Sequence, residues 1–137
     1  MASAPRPVEL SVEWLGEERL GGRGGGVEMT LDGSGQAGPS PVQAVAFGLL
    51  ACMTIDLVHI LTKGRFEVKG LAARLRGERA AEDPRRFLAF SLHFAVRGDV
   101  PAEKVERALA LSHDKYCSVW HSLRQDITLQ TTFEILP

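Results

Sequence analysis

The sequence predicts an α+β fold in which mostly antiparallel sheets pack around a long buried central helix. Three observations predict it. An apolar stretch at 40–64, SPVQAVAFGLLACMTIDLVHILTKG, carries helix start and stop signals. Segments whose apolar residues alternate with period two lie on both sides of it. The resulting order is two strands, the buried helix, two strands, a second helix and a strand, with hairpin-like connections.

Residues 1–7 hold two prolines among small residues and read as a flexible N-terminal tail. From Val8, Leu10, Val12 and Trp14 face one way and Glu9, Ser11 and Glu13 the other, a half-buried strand. Gly16–Gly26 is glycine-rich and reads as a flexible hairpin connection carrying Arg19 and Arg23. A second alternation follows at Val27, Met29 and Leu31, and the loop DGSGQAGPSP leads to the helix. There Ser40 and Gln43 form a capping box and Pro41 suits the first helical position. Gly64 marks the stop. Ala44–Ile55 is apolar on every side, so the helix needs cover all round. The uninterrupted run is too short for a membrane span, since Asp56 and His59 follow on the next turns.

Beyond Gly64, Phe66 and Val68 are followed after Gly70 by Leu71, Ala73 and Leu75, a change of phase that predicts a bulge at the glycine. Arg76–Arg86 reads as a charged turn. Leu88, Phe90, Leu92, Phe94 and Val96 share one strand face, opposite Ser91 and His93. Gly98, Asp99 and Pro101 open the second helix, with Val105, Ala108, Leu109, Ser112, Tyr116 and Val119 at helical steps; around Cys117–Gln125 it breaks or continues as a shorter one. Ile127, Leu129, Thr131, Phe133 and Ile135 make the last strand. Residues 8–137 are thus one domain. A single small sheet covers only one side of the central helix, so a homodimer is expected to complete its burial.

Sixteen basic and seventeen acidic residues give a net charge of −1, and the arginines between Arg74 and Arg86 alternate with Glu78, Glu82 and Asp83. Neither a nucleic-acid partner nor an anionic membrane surface fits that balance. The N-terminus has no signal-peptide pattern, which points to the cytoplasm. Two cysteines in a reducing compartment are more often chemical or metal-binding than a structural disulfide. Cys52 lies in the apolar helix and Cys117 in the second helical segment. A buried cysteine also serves as a small hydrophobe, and composition alone leaves that reading open. His59 lies seven residues after Cys52 and His121 four after Cys117, so Cys52, His59, Cys117 and His121 form a candidate zinc set, although no C-x-x-C pair is present. Asp56, four residues after Cys52, shares its helix face and caps a backbone or pairs with a base. His93 and His113 read as surface or cross-strand polar residues, and Phe47 and Trp120 as packing.

Two motifs carry a family resemblance. GPSPVQAVAFGLLACMTID resembles the signature around the first cysteine of the OsmC/Ohr family, the osmotically inducible and organic-hydroperoxide-resistance proteins. LSHDKYCSVWHSL resembles its second signature. The likeness covers nearly the whole chain from Val8 and is nearest the OsmC-like branch. It implies an intertwined homodimer and a cysteine peroxidase acting on organic hydroperoxides in oxidative-stress defence. Cys52 would be oxidised to a sulfenic acid and condense with Cys117, and a dithiol reductant would reopen the disulfide, with no cofactor or resident metal. A thiol of pKa about 8.5 needs a nearby cation to react as thiolate at neutral pH. The family pattern supplies an arginine, here Arg19 or Arg23, and holds it with a first-turn glutamate, where this chain offers Val42 and Gln43. That departure keeps open a second reading, an OsmC-like module that binds an apolar small molecule at the dimer interface without turnover.

Overall fold

A computed structural model of the chain describes residues 3–137 and divides into two compact units, Met1–Val45 and Ala46–Pro137. Residues 1 and 2 of the expected tail lie outside the described residues; 3–7 are exposed and carry no regular structure.

In the first unit β1 (Ser11–Gly16), β2 (Arg19–Gly24) and β3 (Val27–Asp32) form an antiparallel sheet in that order. The glycine-rich segment is therefore not a flexible connection but the central strand, paired along both edges. Its glycines are what let the neighbours come close: a Cβ on Gly24 would collide with the Leu10 side chain and stand 2.6 Å from the Glu9 carbonyl, and one on Gly22 would stand 3.2 Å from that of Met29. The turn into β3 is Gly25 and Gly26, with φ of 56° and 78°, as a two-residue primed hairpin requires. β1 starts at Ser11 rather than Val8. Its alternation is present, but Val12 and Trp14 remain 59% and 71% exposed, because this unit has no second layer of its own. β3 ends at Asp32, whose carboxylate accepts from Ala37 N (2.9 Å) and from Ser34 N and Oγ (2.9 and 2.8 Å). These bonds, that from Ala37 first, hold its pKa below the ordinary carboxylate value and order the loop before the helix.

The central helix α1 (Pro41–Lys63) has the expected bounds. Ser40 Oγ accepts from Gln43 N at 3.1 Å and Gln43 Oε1 from Ser40 N at 2.9 Å, completing the capping box. Leu49, Met53, Leu57 and Leu61, one turn apart, are fully buried, while Phe47, Ala51, Ile55 and His59 on the opposite edge are exposed. Within the second unit α1 is thus covered on one side only, and Phe47 has no packing role in that unit's core. By length and composition α1 could cross a membrane, yet its buried edge closes a core with Phe90, Phe94, Val105 and Trp120.

The second unit's sheet has β5 (Phe87–Arg97) between β4 (Gly70–Arg79), antiparallel, and β6 (Thr128–Leu136), parallel. Phe90, Leu92, Phe94 and Val96 on the predicted face of β5 are buried, whereas Leu88, at the irregularity opposite Glu78 and Arg79, is 40% exposed. β4 has no bulge at Gly70. That residue opens the strand, which accounts for the change of phase, and the irregularity lies at the other end, between Glu78 and Arg79. The parallel β5–β6 pair needs a crossover. α2 (Ala102–Leu111), a π turn (Ser112–Tyr116) and α3 (Ser118–His121) provide it.

Candidate functional site

Within the second unit, the two chemically distinctive segments converge on one cluster. Cys52 opens the fourth turn of α1, next to its buried edge and partly accessible, and Asp56 follows one turn later. Cys117 enters from the crossover. The π turn closes with Cys117 N donating to Ser112 O at 2.8 Å, a five-residue step that brings Ser112 and Cys117 together. Cys117 then caps α3, its Sγ accepting from Trp120 N at 3.3 Å, and is fully buried. The ligand atoms of Cys52, Asp56 and Cys117 all lie within 4.8 Å of one another, and both cysteines are free thiols. Ser112 Oγ donates to Asp56 Oδ2 at 2.7 Å.

The environment separates the two sulfurs chemically. Burial pushes the Cys117 thiol up to about 11; the Trp120 N–H opposes this, and the hydrogen bond to Cys52 and the negative potential of Cys52 and Asp56 raise it further. Cys117 is therefore neutral at pH 7 and shielded from solvent, whereas Cys52 is the sulfur that a solute can reach. Alkylation of Cys117 in a Cys52→Ser variant should keep accelerating with pH beyond the ordinary thiol value of 9.0, because burial, the leading cause of the rise, survives the substitution. Mass-detected labelling whose rate levels off near the ordinary value of 9.0 would contradict this.

The other candidates are placed as follows. Arg19 and Arg23 stand on β2 of the first unit, paired with Glu17 (3.4 Å) and Glu28 (3.5 Å). Gln43 is engaged in the helix cap with Ser40. The candidate zinc set does not assemble: His59 is exposed, and His121 Nε2 bonds the His113 carbonyl oxygen at 2.9 Å. Asp56 takes their place, and its partner is a hydroxyl rather than a backbone group or a base. His93 bridges strands to Thr132 (2.8 Å) and Glu134 (3.1 Å), and Trp120 packs in the core, as expected. The sequence reading missed the role of Ser112. A signal was available, since Ser112 and Asp56 are polar residues on otherwise apolar helix stripes, and such residues need each other or another buried partner.

Comparison with known proteins gives four findings. The family model described as OsmC-like protein matches residues 33–132. Protein YhfA of Escherichia coli (strain K12) is 37% identical over 132 residues, covering 94% of this chain and 98% of the relative. Among solved structures, a hypothetical protein from Aquifex aeolicus VF5 superposes with a TM-score of 0.88 at 26% identity, covering 96% of this chain and 98% of that one. An organic hydroperoxide resistance protein OsmC from Legionella pneumophila does so at 0.72 and 16% identity, over 96% and 99%; at that identity the likeness is one of fold.

Proposed function

The chain belongs to the OsmC-like protein family, and from that membership we propose that it is a cytoplasmic, homodimeric, thiol-dependent reductase of organic hydroperoxides. The observation that carries the proposal is the approach of Cys52 and Cys117 to within 4.8 Å, although most of the chain's middle separates them in sequence. Cys52, the accessible sulfur, attacks the terminal peroxide oxygen as a thiolate. The S–O bond forms, the O–O bond breaks, and the alkoxide leaves as an alcohol after taking a proton. Cys117 then attacks the sulfenic sulfur. An S–S bond forms, and the hydroxyl departs as water with the proton from the Cys117 thiol. A dithiol reductant supplies two electrons and two protons to restore both thiols.

The raised Cys117 pKa supports this division of labour, because a neutral thiol waits until an electrophilic sulfur appears beside it. A reducing compartment suits a cycle that starts from two free thiols. The homodimer reading is supported by the exposed apolar residues Val12, Trp14, Val27 and Met29 on the first unit and Phe47 and Ile55 on the second.

The test is to mix the reduced protein with one equivalent of an organic hydroperoxide and follow thiol content and peptide mass. Both thiols should disappear into an internal Cys52–Cys117 disulfide. Two intact thiols would instead favour the non-catalytic binding module, which the presence of Gln43 in the first helical turn motivates.

A further inference from the structure

We infer that the reduced Cys52–Asp56–Cys117 cluster is a binding site for a thiophilic divalent cation of the zinc type, so that metal and disulfide compete for the same two sulfurs. The donor set is suited to such an ion: two thiolates and one carboxylate are favoured by zinc and give it three anionic ligands with a fourth position open. The spacing is suitable as well. Cys52 and Asp56 stand one turn apart on α1, the interval at which two side chains of one helix chelate a metal. Cys117 closes the triangle from the head of α3. With metal–sulfur distances of about 2.3 Å and metal–oxygen distances of about 2.1 Å, tetrahedral ligands sit roughly 3.5 Å apart. The three donors already lie within 4.8 Å of one another, so side-chain adjustments on the order of 1 Å complete the site.

Two further contacts match what surrounds a metal centre. Ser112 Oγ donates to Asp56 Oδ2 at 2.7 Å, which orients the carboxylate and leaves Oδ1 available to an ion. Trp120 N–H donates to Cys117 Sγ at 3.3 Å, a bond that favours the thiolate form required of a ligand. With both thiols deprotonated on binding, a divalent ion reduces the −3 of two thiolates and a carboxylate to −1. Binding releases the thiol protons to solvent. Joining the sulfurs as a disulfide withdraws two of the three ligands and ejects the ion. This last consequence, metal occupancy holding the thiols out of peroxide chemistry, rests on the peroxidase reading; the binding site itself does not.

The experiment titrates the anaerobic, fully reduced protein with Co2+ and then with Zn2+. One equivalent of Co2+ should produce tetrahedral visible bands and a sulfur-to-cobalt charge-transfer band, and one equivalent of Zn2+ should remove both. Ser112→Ala should weaken binding about 10- to 100-fold. Asp56→Asn, which preserves volume, should weaken it more. Disulfide formation with a diamide oxidant should abolish the bands. Absent charge-transfer absorption, or binding unchanged in Asp56→Asn, overturns the inference. Hydroperoxide oxidation without Co2+ binding overturns the metal site alone; Co2+ binding in a protein that hydroperoxide does not oxidise leaves the metal site standing and removes the peroxidase reading.

Discussion

Replacing Cys52 by serine should abolish dithiol-coupled hydroperoxide turnover, whereas replacing Cys117 by serine should leave the first oxidation intact and stop the cycle after it. The asymmetry follows from where the two sulfurs sit. Cys52 is the partly accessible member of the pair and carries the bond-forming electrons; a hydroxyl at that position stays protonated and is a far weaker nucleophile toward peroxide oxygen. Loss of a covalent nucleophile lowers turnover by a factor on the order of 10³ or more. Cys117 is buried and neutral at pH 7, so in the proposed cycle it acts only once Cys52 bears a hydroxyl leaving group. The Cys117→Ser protein should therefore consume about one equivalent of hydroperoxide and accumulate a sulfenic acid that a dimedone probe traps on the Cys52 peptide. Turnover retained in Cys52→Ser would remove this chemistry from the protein, and a probe adduct on Cys117 of the unsubstituted protein would reverse the roles.

The parts of this site that are legible in the sequence are those set by local periodicity and caps. α1 announces itself through Ser40, Pro41 and Gln43, and the same helix presents Cys52 at its place. β5 does so through strict alternation, because one of its faces is the core. Three features are not legible, each for a physical reason. β2 carries no side-chain pattern, since its strand identity lies in backbone bonds to two neighbours and its glycines serve their close approach. The π turn after α2 has no propensity signature, and its single five-residue step decides where Cys117 points. The Ser112–Asp56 bond joins residues from distant helices and is visible only as two unexplained polar positions. Alternation in β1 shows that one face is apolar, yet nothing in the pattern says what covers it.

The second large effect concerns the exposed edge of α1. Substituting Phe47→Asp should convert the proposed homodimer to single chains while leaving the fold of each chain in place. α1 carries two apolar edges, each with one-turn spacing. Leu49, Met53, Leu57 and Leu61 are consumed within the chain, while Phe47 and Ile55 remain 62% and 53% exposed. Covering such side chains contributes about 1.5–3 kcal/mol each, and in a two-fold interface every residue counts twice. An aspartate at position 47 forfeits that contribution on both sides and places two carboxylates in a desolvated contact, a combination that outweighs the rest of an ordinary interface. Because Phe47 does not belong to the chain's own core, far-ultraviolet circular dichroism should change little. Light scattering should then read 14.9 kDa where the unsubstituted protein reads twice that mass. Ile55→Asp, two turns further along the same edge, should behave alike. A single-chain mass for the unsubstituted protein, or an undiminished dimer in both variants, would mean that the apolar edge of α1 serves some other contact.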